Sequence, residues 1–253
     1  MPLRYLPPPA PQAPVRLGFP FPPAHGGDPV APANAALRGP PACLVGLLGH
    51  SPGQAKSGDD VTIGVLALQG DFVLHRQALG RIGVESREVR NPAELEQVDG
   101  LIFPGGESTT LWKLMHAGDF VPALEKFHAK GKPLFGTCAG LIVLAKEIMN
   151  PRQVSLGFID VTVERNAYGR QKESFEADGE TTLEGEKRSL RMVFIRAPRI
   201  VRVGDAVEVL AMYQGECVMA LQGTVLVATF HPELTDDPTV HRAFARMVAR
   251  ARS

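Results

Sequence analysis

The sequence predicts an α/β domain: a mostly parallel central sheet, helices on both faces and an antiparallel extension. Three observations carry that expectation. Short, continuous apolar runs alternate with helix-like stretches from Val61 to about Asn150, as in strands buried on both faces and joined by crossover helices. After that the chain turns to closely spaced strand-like runs with few helices between them. Finally, three of the runs end in residues suited to chemistry, and open parallel sheets carry their ligands beyond the carboxyl ends of the strands.

The elements follow in order. Thr62 to Leu68 (TIGVLAL) reads as the first strand, Phe72 to Ile82 as a helix and Val84 to Val89 as a second strand. Asp99 to Phe103 is a third, stopped by Pro104-Gly105-Gly106. Ser108 to His116 and Val121 to Lys130 read as helices, Pro133 to Gly136 as a fourth strand, and Ala139 to Ile148 as the helix after it. Phe158 to Glu164, Arg191 to Arg196, Ala206 to Met212, Cys217 to Leu221 and Thr224 to Phe230 follow as strands. Asp237 to Arg250 closes the chain as a helix.

Residues 1–60 differ in kind. They hold most of the chain's 22 prolines, in runs such as Pro7-Pro8-Pro9, and keep neither helical nor strand periodicity. Such a segment buries too little apolar surface to offset its ordering entropy. It reads as a disordered Pro-rich extension, with an over-long gene model as one origin, and residues 61–253 as the folded domain.

The bulk numbers exclude several classes. Lys plus Arg and Asp plus Glu both number 27, so no net field steers nucleic acid or an anionic membrane toward the chain. Cys43, Cys138 and Cys217 are scattered and odd in number, which fits neither a disulfide framework nor a metal site. A reducing cytoplasm suits them. No apolar run nears the roughly 20 residues that span a bilayer.

Gly136-Thr137-Cys138-Ala139-Gly140 follows a strand and opens a helix, the cysteine form of a nucleophile elbow. Small flanking residues permit the sharp turn. The helix start favours a thiolate and offers the Ala139 amide to an oxyanion. A buried structural cysteine is the plain alternative, and it suits Cys217, which begins a strand. Among seven histidines, His25 and His50 lie in the extension, and His75, His116, His128 and His241 fall inside expected helices. Only His231 stands at the carboxyl end of a core strand, with Glu233 placed to orient its ring. Pro104-Gly105-Gly106-Glu107-Ser108 brings paired glycines whose amides can face an anion, with Ser108 expected to cap the next helix. It lacks the Gly-Lys-Ser/Thr ending of a phosphate loop. Arg165 follows the strand ending at Glu164, Arg196 ends the strand that begins at Arg191, and both have forks suited to a carboxylate, although most arginines are merely solvated.

LALQGD (66–71), FPGGESTT (103–110), GTCAGLIVLAKEI (136–148), VERNAYGRQKESFEA (163–177), FIRAP (194–198) and FHPELT (230–235) span the expected domain. With these stretches the chain resembles the class I (triad) glutamine amidotransferases, whose fold is flavodoxin-like and three-layered. More narrowly it resembles the glutaminase subunits of pyridoxal 5′-phosphate synthases. The resemblance implies that Cys138, His231 and Glu233 form a triad. It implies that Gly106, Glu107, Ser108, Arg165, Ile195 and Arg196 bind L-glutamine, and that Gly106 and Ala139 stabilise the oxyanion. It calls for no cofactor and no metal. It implies a partner, a (β/α)8-barrel synthase within a large hetero-oligomer, that takes the ammonia. Sister glutaminases serving an imidazole-forming synthase usually carry Leu after the elbow cysteine and Gln two residues past the second glycine, where this chain has Ala139 and Ile142. A non-catalytic regulatory subunit and a cysteine peptidase on the same elbow are the other readings.

Overall fold

The computed structural model describes residues 61–165, 174–185 and 187–252. The Pro-rich extension and part of the 163–177 stretch lie outside them. The first strand, β1 (Thr62–Leu66), leads through helix α1 (Phe72–Arg81) to β2 (Glu85–Val89), and β3 (Gly100–Phe103) follows. Helices α2 (Ser108–Ala117) and α3 (Phe120–Ala129) cross over to β4 (Leu134–Thr137). After α4 (Ala139–Leu144) come β5 (Ala145–Met149), β6 (Ile159–Glu164), β7 (Ser174–Thr181), β8 (Arg188–Ile195), β9 (Arg199–Val203), β10 (Glu208–Tyr213), β11 (Glu216–Gln222) and β12 (Val225–Ala228). Helix α5 (Thr239–Arg252) comes last.

Nine strands form one sheet in the order β2-β1-β3-β4-β12-β11-β10-β7-β8. The pairings from β2 to β12 are parallel and those from β12 to β8 antiparallel, as the change in sequence pattern leads one to expect. A second sheet, β5-β6-β9, supplies the rest of the extension. Side chains alternate across the parallel half. Leu101, Phe103 and Leu134 pack under α2, α3 and α4, whereas Ile63, Val65, Ile102 and Phe135 pack under α1 and α5. Phe103, Phe120, Phe135, Phe194, Phe230 and Phe244 are fully buried, and truncating any one to Ala costs about 3–5 kcal/mol.

Most elements fall within three residues of their expected ends. One does not. The helix expected from Ala139 to Ile148 stops at Leu144, where Ala145 turns extended (ψ 152), and β5 pairs in parallel with β6. The run LIVLAKEIM carries an apolar pattern that suits either element over this length, and pairing with β6 decides it. Strands β7 and β9 were not expected. β7 is SFEADGET, acidic and interrupted by Gly179, so it shows little strand propensity, and pairing with β8 along its whole length holds it extended.

The strand order 2-1-3-4 followed by a fifth parallel strand reverses direction between β1 and β3, and the carboxyl ends there and at the adjoining strands open onto a single crevice. The segments leaving β1, β3, β4 and β12 carry Asp71, Gly106, Cys138 and His231, all of which line that crevice.

Candidate active site

Cys138 is the residue between β4 and α4, at φ 47° and ψ −99°. A non-glycine residue held there costs on the order of 1–3 kcal/mol and persists only where its surroundings impose it. Here the Cys138 amide donates to the Ala228 carbonyl of β12 (2.9 Å), and the Cys138 carbonyl accepts from Ile142 in the first turn of α4 (3.2 Å). A side chain at position 140 would set its Cβ 2.2 Å from the Phe103 carbonyl oxygen, so the elbow closes only with glycine. The amide of Ala139 belongs to the first turn of α4, which has no intrahelical acceptor. The thiol is directed at the Ile195 carbonyl (3.9 Å).

His231 lies beyond β12, which ends at Ala228 rather than at Phe230. Its amide donates to the Val193 carbonyl of β8 (2.8 Å), and its ring lies against Gly105, where a Cβ would come within 2.3 Å of Cε1. Nδ1 is 2.7 Å from Glu233 Oε1, which fixes the ring and leaves Nε2 for a reacting proton. Nε2 is buried and without a hydrogen-bond partner among the described residues. Burial alone would lower the His231 pKa, but the neighbouring Cys138 sulfur and the Glu233 carboxylate outweigh it and push it up to about 10. Glu233 moves the other way. Burial would raise its pKa, and His75 and His231 together hold it below the usual carboxylate range.

An open cleft of about 770 Å³, counted to its mouth, is lined by Gly106, Glu107, Ser108, Cys138, Arg165, Ile195, Arg196 and His231, together with Asp71, Ile142 and Pro198. Of the sequence-derived site residues, only Glu233, behind His231, and Ala139, behind Cys138, lie off its wall. The expected cap changes identity. Ser108 is the first residue of α2, and the Glu107 carboxylate caps the helix by accepting from the Thr109 and Thr110 amides (3.0 and 2.6 Å). Despite some desolvation, those bonds bring the Glu107 pKa down to about 2. Arg165 donates to Gln153 Oε1 (2.8 Å) and Thr109 Oγ1 (3.0 Å) and lies 3.6 Å from Glu107.

Several contributors escaped the sequence reading. Gln69 accepts from the Glu107 amide (3.0 Å) and underlies Gly106, whose φ of 140° is open only to glycine. Gln153 binds Arg165 and Ser108. Asp71 brings a carboxylate oxygen within 4.8 Å of ligand atoms of both His231 and Glu233. A cation there would compete with the His231–Glu233 bond for the same atoms. His75 and His241 lie buried behind Glu233.

This arrangement can deliver a nucleophilic sulfur, a base with a fixed tautomer and backbone donors to one carbonyl carbon. Comparisons with known proteins show the family. Residues 65–250 match the SNO glutamine amidotransferase family. A pyridoxal 5′-phosphate synthase subunit PdxT of Niallia circulans is 50% identical over 190 residues, covering 75% of this chain and 99% of its own length. The PdxT of Desulforamulus reducens is 52% identical over 189 residues, covering 74% of this chain and 100% of its own. A solved glutamine amidotransferase structure superposes with a TM-score of 0.69 at 51% identity, covering 74% of this chain and 98% of that one. The Thermotoga maritima PurLQS structure (TM-score 0.59, 18% identity, 73% of this chain and 97% of that one) shares the fold.

Proposed function

The chain belongs to the SNO glutamine amidotransferase family, and on that premise we propose that it hydrolyses L-glutamine to L-glutamate and passes the ammonia to a pyridoxal 5′-phosphate synthase. The observation that carries the reading is the elbow cysteine facing the same cleft as a histidine locked 2.7 Å from a buried carboxylate. Cys138, as thiolate, attacks the side-chain amide carbon of glutamine. The oxyanion that forms is held by the amides of Ala139 and Gly106. The His231 imidazolium, steadied by Glu233, gives its proton to the leaving nitrogen, and ammonia departs. Neutral His231 then takes a proton from water as the water attacks the thioester. The sulfur leaves as thiolate, glutamate is released and the imidazolium is regenerated. Glu107, Ser108, Arg165, Ile195 and Arg196 hold the amino-acid end of glutamine, with the arginine forks on its α-carboxylate.

Ammonia released to solvent would make no product, so the reading includes a partner: a (β/α)8-barrel synthase in a large hetero-oligomer, in the cytoplasm. No helix among the described residues is long and apolar enough to cross a membrane. The names of the relatives, each a synthase subunit, support that assembly. Gly106, whose φ of 140° suits only glycine, is the place where docking would complete the oxyanion site. Loss of one such donor costs on the order of 100–1000-fold in rate.

One experiment tests both halves. Ammonia and glutamate release are measured for the full chain alone, with purified synthase, and for Cys138→Ala with synthase. The expected result is poor turnover alone, a sharp rise with synthase and none for the variant. Wild-type turnover by Cys138→Ala overturns the glutaminase mechanism, and full activity without synthase overturns the coupling.

A further inference from the structure

Behind Glu233, on the side away from His231, lies a buried polar cluster that the mechanism above does not use. His75 on α1 and His241 on α5 are completely buried, and Thr137 at the end of β4 is too. His75 Nδ1 lies 3.0 Å from His241 Nε2. His75 Nε2 lies 3.2 Å from the Thr137 hydroxyl and 3.4 Å from Glu233 Oε2. Glu233 spends its other oxygen, Oε1, on His231. Among the described residues Oε2 makes no closed hydrogen bond, and the His75 ring nitrogen is the side-chain N–H that faces it.

We propose that His75, itself oriented by His241, is a positioning residue that holds the second oxygen of Glu233 and so fixes the carboxylate that orients His231. The inference rests on the triad reading of Cys138, His231 and Glu233. Burial keeps both rings neutral, drawing the His75 pKa down and the His241 pKa to about 3. Each ring therefore carries one N–H, and the ring-to-ring bond can run in two directions. If His75 donated to His241, the His241 proton would sit on Nδ1, a buried atom with no acceptor among the described residues. His75 Nε2 would then turn a lone pair toward a carboxylate oxygen. Both consequences are costly. If His241 Nε2–H donates to His75 Nδ1, the His75 Nε2–H points between Thr137 and Glu233 Oε2. What remains unpartnered is then only a lone pair on His241 Nδ1, the cheaper orphan. The second direction is the one the cluster supports.

The polar chain thus runs from α5 through α1 to Glu233 and on to His231. The 3.4 Å contact is long for a closed hydrogen bond and acts as a charge–dipole hold on Oε2. Without it, the buried Oε2 loses the His75 N–H, and the hold against rotation of the carboxylate away from His231 is weakened.

Two near-isosteric variants, His75→Gln and His75→Asn, separate positioning from mere packing. The amide of the longer glutamine side chain reaches the place of Nε2, whereas that of asparagine reaches only the place of Nδ1. Both are made in the full chain and assayed for glutamine hydrolysis with the synthase present. His75→Asn should lower kcat on the order of 10–100-fold, by analogy with the loss of the outer partner of a metal-ligating histidine. KM for glutamine should not change, because His75 lies off the cleft wall. His75→Gln should recover most of kcat even where both variants melt at the same lowered temperature. Equal kcat for the two variants, or losses that follow melting temperature, overturn the proposal. If His75→Asn does not fold, His241→Leu carries the test: a smaller fall in kcat at constant KM is expected, and wild-type kcat overturns it. Cys138→Ala assayed alongside keeps the two ideas apart, since its activity reports on the triad reading alone.

Discussion

The two walls of the cleft are built to different rules. On the wall of the proposed triad, Cys138 and His231 are 6% and 3% exposed, with Glu233 behind them 3% exposed, and backbone bonds to neighbouring strands hold the first two in place. On the wall proposed to bind glutamine, the Glu107 side chain is 56% exposed, Arg165 is 14% exposed and Arg196 is exposed. There Glu107, Thr109, Gln153 and Arg165 hold one another through side chains. The buried wall shifts pKa values strongly and stakes much on each atom, because an unpartnered charge there is costly. The open wall is screened by water, so each of its contacts is worth less. Substitutions on the first wall should therefore strike kcat, and on the second KM.

The largest expected effect is on the buried wall. His231→Ala removes the proton carrier, and Glu233→Gln removes only what orients it. On the scale known for serine-protease triads, the first lowers kcat on the order of 10⁶-fold and the second on the order of 10⁴-fold. Steady-state ammonia release with synthase present measures both. Equal losses would mean that Glu233 does more than orient the ring. A Glu233→Gln variant near wild-type would remove it from the triad.

The same contrast shows how much could be read before the structure. Cys138 and His231 were legible because each follows the end of a strand, Cys138 directly and His231 three residues on, a position that sequence pattern locates well. The parallel order was legible from apolar runs alternating with helical ones. His75 and His241 were set aside as helical histidines, yet the signal was there. His75 sits three residues after Phe72 and three before Ala78. His241 sits three before Phe244 and beside Val240, on the apolar face of α5. A histidine on an apolar helix face is a buried one, but no sequence rule says which carboxylate it meets. Gln69 and Gln153 were illegible for the same reason. Their partners lie 38 and 12 residues away, and only tertiary folding brings them together. Strand β5 was lost because local pattern could not distinguish it from a helix, whereas pairing with β6 could.

The recognition wall gives the next effect. Arg165→Ala should raise KM for glutamine on the order of 10–100-fold, the worth of one charge-assisted hydrogen bond, and change kcat much less. Gln153→Ala, which leaves the fork in place but unheld, should raise KM by a smaller factor. Initial rates across glutamine concentration decide it. A fall in kcat at constant KM for Arg165→Ala would place that residue with the catalytic group and erase the distinction between the walls.

The smallest effect is on stability, and it sharpens the comparison through pH. His75 and His241 both have folded pKa values depressed below 6.5. Below pH 6.5 the unfolded chain binds these protons and the folded one does not, so stability falls as pH drops. Each histidine contributes about 1.4 kcal/mol per pH unit while it stays neutral in the fold. His231 has the opposite sign. Its folded pKa is raised to about 10, so its contribution is full below pH 6.5 and is lost as pH rises from 6.5 through 10. Glu233, held low, adds a further loss only once pH falls below 4.5. Glu107, mostly exposed, is screened and adds little near neutrality. The sum is a stability maximum near pH 6.5: the buried histidines behind Glu233, with a smaller share from the partly buried His128, whose pKa burial also lowers, set the acid slope, and His231 sets the alkaline one. Urea midpoints measured from pH 5 to 9 should trace that peak. His241→Phe should remove a substantial part of the acid slope below pH 6.5 and leave the alkaline slope unchanged. A flat profile between pH 5 and 6.5 in the wild-type chain would mean that the two histidines take up protons in the fold. They could not then be the neutral pair that donates to Glu233.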